Sequence, residues 1–248
     1  MNFLRVIKPL FPRSFVGLAR RIRGRFRSGG SDTRPPREVF SEVYEKGLWG
    51  KSSDPNRPYF SGSGSHDAAI VAVYVESVCD FLRTLPVKPN VVDLGCGDFA
   101  VGSQIRPFCH GYIACDVVPS LIEHNRSEYR TLDVDFRLID ISSDELPYGD
   151  IVFIRQVLQH LPNSRIAKLV PKLEKNFTHL IVTEHLPSAA TFVPNLDLGS
   201  ASAEIRLGKG SGVVLTKPPF NLRTLNERVL CEVGEFGGVI RTTMYRLK

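Results

Sequence analysis

The chain has 248 residues, 42% of them apolar and 23% charged, with a formal net charge of +6. That length suits one α/β domain with appendages and a sizeable core. Eight basic residues (Arg5, Lys8, Arg13, Arg20, Arg21, Arg23, Arg25, Arg27) fall within residues 1–30, which hold no Asp or Glu. The remainder is therefore close to neutral, which argues against a nucleic-acid footprint on the main domain.

The basic stretch interleaves its arginines with apolar residues. From Ser14 to Phe26 it can form an amphipathic helix on an anionic membrane surface, at the inner face of the membrane. A solvated tail and an Arg-rich transit peptide are the other readings of residues 1–27. Residues 28–36 are Gly/Ser/Pro-rich and read as a linker. No run approaches the roughly 18 apolar residues of a membrane span, and no signal peptide is evident. The five cysteines (Cys79, Cys96, Cys109, Cys115, Cys231) form no CxxC pair and no metal-ligand spacing with a His, so reduced thiols in a cytosolic chain without a metal are expected.

Arg37 to Trp49 places Val39, Phe40, Val43 and Tyr44 at helical spacing, with Gly47 as a stop. Asp67 to Leu85 is a second helix. Strands are then predicted at Val91–Leu94, Gly111–Asp116, Asp135–Ile141, Asp150–Ile154 and His179–Thr183. Helices fall at Leu121–Tyr129 and at Asn163–Lys175, where Asn163 caps the start and Pro171 ends or kinks the helix. Short buried strands separated by helices predict a doubly wound, mostly parallel sheet. Val229–Glu235 and Val239–Leu247, joined by Phe236-Gly237-Gly238, close it with an antiparallel hairpin, making seven strands. This is the Rossmann-like α/β class, preceded by N-terminal helices.

Chemistry concentrates in Asp93-Leu94-Gly95-Cys96-Gly97-Asp98-Phe99. Gly95 and Gly97 let the backbone turn tightly after a buried strand and approach a ligand closely, and the helix that follows offers free N–H groups. Asp116, beside Val117 at the end of strand two, can accept both hydroxyls of a ribose. Up to this point a nicotinamide dinucleotide and S-adenosylmethionine fit equally, because Gly95 to Ala100 also satisfies the GxGxxA fingerprint. Asp93 and Asp98 favour S-adenosylmethionine, since carboxylates there suit a sulfonium and an amine rather than a pyrophosphate. About 90 residues before strand one favour it too. Asp140-Ile141 after strand three can meet an adenine ring, or Asp140 can cap the next turn through Ser142 or Ser143. After strand four, in Arg155-Gln156-Val157-Leu158-Gln159-His160-Leu161-Pro162, Arg155 and Gln156 should face the methyl group or the methionine moiety. His160 is a candidate base for an acceptor hydroxyl, or a packed histidine held by a backbone carbonyl.

Phe40-Ser41-Glu42-Val43-Tyr44 with Trp49-Gly50, Ser61-Gly62-Ser63-Gly64-Ser65, Cys96-Gly97-Asp98-Phe99, Arg155 to Leu161 and Pro218-Pro219-Phe220-Asn221-Leu222 occur in this order. The set resembles a group of bacterial class I S-adenosylmethionine-dependent methyltransferases, from about Glu38 to the C-terminus. That group often carries Asn-Trp after CGDF, where this chain has Ala100-Val101. The resemblance implies a methyltransferase domain over residues 37–248, with helices and lid at 37–86 and the Rossmann-like core at 87–248, after a tail and linker at 1–36. It also implies that Tyr44, Trp49 and the loop bearing Ser63 fold over the cofactor; a disordered connection is the other reading of that loop. Asn195, Asp197 and Arg206 in the insertion Ala189–Lys217, with His66 and His185, are candidate acceptor contacts.

Methyl transfer from S-adenosylmethionine is an in-line displacement, for which alignment is the main demand. No Asn-Pro-Pro-Tyr-like amide clamp follows strand four, so a small-molecule or glycan hydroxyl is the expected acceptor. Arg155 and His160 are the expected catalytic pair. A nicotinamide-dependent oxidoreductase and a non-catalytic binding module of the same fold are the competing functions.

Overall fold

The computed structural model describes residues 34–52, 54 and 57–248, so the basic segment 1–27 and most of the tail and linker lie outside the described residues. The chain opens with α1 (Pro36–Glu45), where Pro36 sits in the first turn and supplies the helical φ without a needed N–H. The loop after it leads to a single turn, α2 (Ser63–His66), and then to α3 (Ala68–Arg83), capped by the Asp67 carboxylate accepting from the amides of Ala69 and Ile70.

The core alternates strand and helix: β1 (Asn90–Leu94), α4 (Gly102–Ile105), β2 (Gly111–Asp116), α5 (Pro119–Glu128), β3 (Asp135–Leu138), β4 (Ile151–Arg155), α6 (Asn163–Asn176) and β5 (His179–Pro187). The final hairpin is β6 (Asn226–Glu235) and β7 (Gly238–Arg246). The seven strands stand in the order β3-β2-β1-β4-β5-β7-β6, with β1 to β5 parallel and β7 antiparallel to both neighbours. The expected seven-stranded Rossmann-like sheet is thus observed. The direction of winding reverses between β1 and β4, and ligands of open α/β sheets bind outside the carboxyl ends of strands at such a switch.

Alternation along the strands divides the core into two layers. Val92, Leu94, Val152, Ile154 and Leu180 face α1 and α6, and Val91, Phe153 and Ile181 face α3. The N-terminal helices are therefore part of the core packing rather than appendages to it. Phe40 and Val43 of α1 share a cluster with the strands, and so do Tyr74 and Val78 of α3.

Several boundaries differ from the sequence reading for identifiable reasons. β3 ends at Leu138 because Asp140 folds back, its Oδ1 accepting from the Ser142 amide at 2.9 Å. β5 runs on to Pro187 because β7 pairs with it as far as Gly238. α6 continues through Pro171 without ending there. Pro171 is exposed, so the carbonyl whose bond it forfeits is on the side open to water. The amide at the start of α6 is capped from a distance by Asp197 Oδ1, which accepts from Asn163 N at 2.8 Å. The helix after the glycine turn, α4, has only four residues.

Candidate active site

A cavity of about 260 Å³ opens at the carboxyl ends of β1, β2, β4 and β5 and is covered by α1 and the loop 61–65. Its floor is the glycine turn. Gly95 and Gly97 have φ of +80° and +57°, which side chains rarely adopt. They also have no room for one: a Cβ would stand 2.4 Å from Val157 Cγ2 at Gly95 and 2.6 Å from Ser61 Oγ at Gly97.

Four carboxylates surround this turn, each held differently. Asp116 accepts from the amides of Gly97 (3.0 Å), Val117 (2.8 Å) and Val118 (3.1 Å), which orients it at the end of β2. Burial raises its pKa, against those three donors. Asp93 faces the α3 side of β1, where Tyr112 Oη donates to it at 3.0 Å. Burial lifts its pKa to about 7, and the Tyr112 bond only partly offsets this. Asp140 caps the turn after β3 through Ser142, as the second reading of that residue had it, and its other oxygen lies 3.6 Å from Arg165. It still lines the cavity with Ile141. Asp98 turns to the lid: its carboxylate accepts from the Ser61 amide at 3.1 Å and pairs with His66 Nε2 at 2.6 Å.

The loop 61–65 is therefore tied down as a lid. Ser61 Oγ accepts from the Asp98 amide at 2.9 Å and bonds Tyr44 Oη at 2.9 Å. Arg155, at the end of β4, donates to Ser65 Oγ at 3.1 Å and to the Gly64 carbonyl, and its guanidinium stands 4.8 Å above the Tyr74 ring. Arg155 thus fastens the lid while lining the cavity. Gln156, at φ +55°, packs so closely under Gly64 that a Cβ there would lie 2.1 Å from Gln156 Oε1.

His160 is buried between Trp49 and Phe40, with ring centroids at 5.1 and 6.4 Å. Its Nδ1 donates to the Glu204 carbonyl at 3.1 Å, and Nε2 lies 3.4 Å from the Gln159 amide nitrogen. Burial pushes its pKa down to about 4. These are the contacts of a packed histidine, and His160 also lines the cavity. Trp49 itself lines the cavity and donates from Nε1 to the Ala203 carbonyl at 3.3 Å.

Asn195, Asp197 and Arg206 lie outside the cavity lining and hold the insertion together. Arg206, fully buried, donates to the carbonyls of Leu196 and Leu161 and to Asn163 Oδ1. Asn195 Nδ2 donates to the Val214 and Pro218 carbonyls, at 3.0 and 2.8 Å. Of the acceptor candidates, His185 alone reaches the cavity wall; His66 belongs to the lid. Sequence reasoning missed Glu235 and Phe236, which join the lining from the tip of the β6–β7 hairpin. The signal available was positional: that tip joins β6 to β7, and β7 pairs with the C-terminal end of β5.

No protein-family model matches the chain, and no curated protein matches it in sequence. Solved structures do match. The chain is similar to the N-methyltransferase NodS from Bradyrhizobium japonicum WM9 in complex with S-adenosyl-L-homocysteine, with TM-score 0.59 and 14% identity over 83% of this chain and 97% of that one. It is similar to magnesium protoporphyrin IX methyltransferase (ChlM) from Synechocystis PCC 6803 with bound S-adenosylmethionine, with TM-score 0.53 and 14% identity over 87% and 99%. The fold is that of S-adenosylmethionine-dependent methyltransferases. Human N-acetylserotonin methyltransferase in complex with S-adenosylmethionine shares it at TM-score 0.53 and 16% identity, over 86% of this chain and 60% of that chain.

Proposed function

We propose that this chain is an S-adenosylmethionine-dependent methyltransferase that methylates a hydroxyl of a small-molecule or glycan acceptor. One observation carries the choice of donor. Around the glycine turn the cavity presents Asp93, Asp98, Asp116 and Asp140, and among the described residues Arg155 is the one guanidinium in its lining. A pyrophosphate would meet these carboxylates, and no long helix follows the turn to offset them, because α4 is one turn long. A cationic ligand fits instead.

The residues divide the work along the cavity. Asp140 and Ile141 stand at the end suited to adenine, Asp116 and Val117 at the ribose, with Cys96 and Gly97 beneath. Asp93 is suited to an amine, and Gly95 brings the backbone close. Arg155, Gln156, Trp49 and Ser63 close over the other end with the lid. S-adenosylmethionine, when bound, supplies a methyl group already activated on a sulfonium. The chain's own contribution is to hold the acceptor in line and to exclude water. Two of the similar structures are named for small-molecule acceptors, magnesium protoporphyrin IX and N-acetylserotonin, which supports an acceptor of that size. Among the described residues no helix is long and apolar enough to cross a membrane. The basic segment 1–27 would set the enzyme at a membrane's inner face, on lipid-linked glycans; co-sedimentation of the full chain with anionic vesicles, lost on deleting residues 1–27, tests this.

Titration calorimetry with S-adenosylmethionine, S-adenosylhomocysteine and NAD tests the main reading. Heat with the first two and none with NAD is expected; no heat with S-adenosylmethionine overturns the proposal. Binding without transfer to any acceptor would instead favour a binding module.

A further inference from the structure

Beyond β4 the cavity continues to the end of β5, and there it changes character. His185 of β5, Glu235 and Phe236 of the hairpin tip, and Ser63 of the lid line this end. The strand order places it next to Arg155 and Gln156, and the Gln156 amide donates to the β5 carbonyl of Thr183 at 2.7 Å. It is therefore the neighbour of the end assigned above to the amino acid and sulfonium of the donor.

His185 is 3% exposed, and its Nε2 lies 2.9 Å from the Glu235 carbonyl. A carbonyl only accepts, so Nε2 carries the proton and Nδ1 keeps the lone pair. No described protein group hydrogen-bonds to Nδ1. Burial holds the ring's pKa below its ordinary value, against the Glu235 carbonyl. The fit is tight: a Cβ at Gly238 would stand 2.8 Å from His185 Nε2, so only glycine leaves the ring its place. His160 differs in that both of its ring nitrogens are engaged.

Glu235 adds a half-buried carboxylate that accepts from Ser63 Oγ at 3.4 Å. It would repel an anionic acceptor and would accept a hydrogen bond from a hydroxyl. Phe236, at φ +46° on the hairpin turn, is 68% exposed with its ring centroid 6.5 Å from that of His185. Two hydrogen-bond acceptors beside an open aromatic face match one chemistry: neighbouring hydroxyls on a ring with an apolar face.

We infer that His185, Glu235, Ser63 and Phe236 form the acceptor subsite, that its ligand is a neutral ring bearing vicinal hydroxyls, and that His185 Nδ1 is the base. This rests on the methyltransferase reading. One hydroxyl faces His185, its neighbour is held by Glu235, and the ring lies on Phe236. As the acceptor oxygen attacks the methyl carbon, its O–H bond breaks and the proton passes to His185 Nδ1. The oxygen's electron pair forms the O–CH₃ bond, and the pair of the breaking C–S bond stays on sulfur as a neutral thioether. The imidazolium, steadied by the Glu235 carbonyl, returns its proton to water.

A sugar and a catechol share this chemistry, and the test separates them. The full chain, ¹⁵N-labelled and saturated with S-adenosylhomocysteine, is titrated with methyl α-D-glucopyranoside and, separately, with catechol. The His185 ring nitrogens are followed by NMR, assigned with His185→Gln. A shift of the Nδ1 resonance is expected with one probe, which names the source, and Glu235→Gln should weaken that probe's binding about tenfold or more. His185→Gln keeps a donor for the Glu235 carbonyl but has no basic nitrogen. It should bind S-adenosylhomocysteine as the parent does, yet lose at least about 10²-fold in methyl transfer at saturating acceptor. Failure of the parent chain to bind S-adenosylhomocysteine overturns the methyltransferase reading itself. Cofactor binding with no His185 shift from either probe overturns the acceptor class, and parental turnover in His185→Gln overturns the base.

Discussion

Ser61 and Asp98 hold each other by exchanged hydrogen bonds: the Ser61 amide donates to the Asp98 carboxylate at 3.1 Å, and Ser61 Oγ accepts from the Asp98 amide at 2.9 Å. This pair fixes the lid to the glycine turn, and His66 adds to it at 2.6 Å. Asp98→Asn leaves the shape but leaves one of these donors facing an amide N–H₂. A hydrogen bond to a charged group contributes about 1.5–3 kcal/mol, so S-adenosylmethionine affinity should fall roughly 10–100-fold. Hydrogen exchange at residues 61–66 should quicken while the core strands keep their protection. Unchanged exchange in the lid would show that Asp98 does not fasten it.

Gly95 and Val157 make a second test, of packing. Alanine at Gly95 suffers both a left-handed backbone, at about 1–2 kcal/mol, and an overlap with Val157 Cγ2, at about 1–3 kcal/mol. Adding Val157→Ala to Gly95→Ala relieves the overlap and leaves the backbone cost. Urea unfolding should therefore show the double variant recovering part of the loss, with cofactor binding still impaired. Simple additivity of the two changes would refute the contact.

How far the sequence foretold this site depends on the range of the interaction. β1, β2 and β4 and the glycine turn were legible because burial and backbone geometry act locally, through alternation and the need for glycine. The mostly parallel sheet and its antiparallel close followed from the strand–helix alternation and the C-terminal hairpin. The tie of Asp98 to the lid was not legible. Its carboxylate suits a cation by charge, but its partners, Ser61 and His66, lie 37 and 32 residues away and meet it only in the fold. Arg206 and Asn195 misled for the same reason: polar residues in a long loop read as ligand contacts, whereas here they satisfy the loop's own buried carbonyls. Pro171 does not end α6, which runs on to Asn176, and the proline lies on the face of the helix open to water.

Glu184 ties stability to pH. It is buried on β5, its Oε1 accepting from the Leu158 amide at 3.1 Å, and burial raises its pKa to about 8. A carboxyl whose folded pKa exceeds its unfolded one binds more protons when folded. Its contribution is therefore full below about pH 4.5, the ordinary value, and declines as pH rises toward about 8. Glu184→Gln keeps an acceptor for Leu158 and removes the charge. Denaturant unfolding from pH 5 to 9 should show a shallower decline in the variant and greater stability than the parent at pH 9. Parallel profiles would mean that Glu184 ionises freely in the folded state.

Asp93 carries the corresponding prediction for ligand binding. Burial, with Asp116 nearby, lifts its pKa to about 7, while Tyr112 and Arg155 pull it down. Below pH 7 the group is largely protonated in the free protein. A cationic amine bound beside it favours the ionised form, so binding expels a proton and tightens as pH rises through about 7. Calorimetry with S-adenosylmethionine at pH 6.5, in two buffers of different ionisation enthalpy, should give different apparent heats, the difference counting a fraction of a proton released. Asp93→Asn should abolish that buffer dependence, flatten the pH profile between 6 and 8, and weaken binding most at pH 8, where the parent carboxylate is charged. Equal heats in the two buffers would place the ligand's cation away from Asp93 and leave the glycine turn without its electrostatic reason for choosing S-adenosylmethionine.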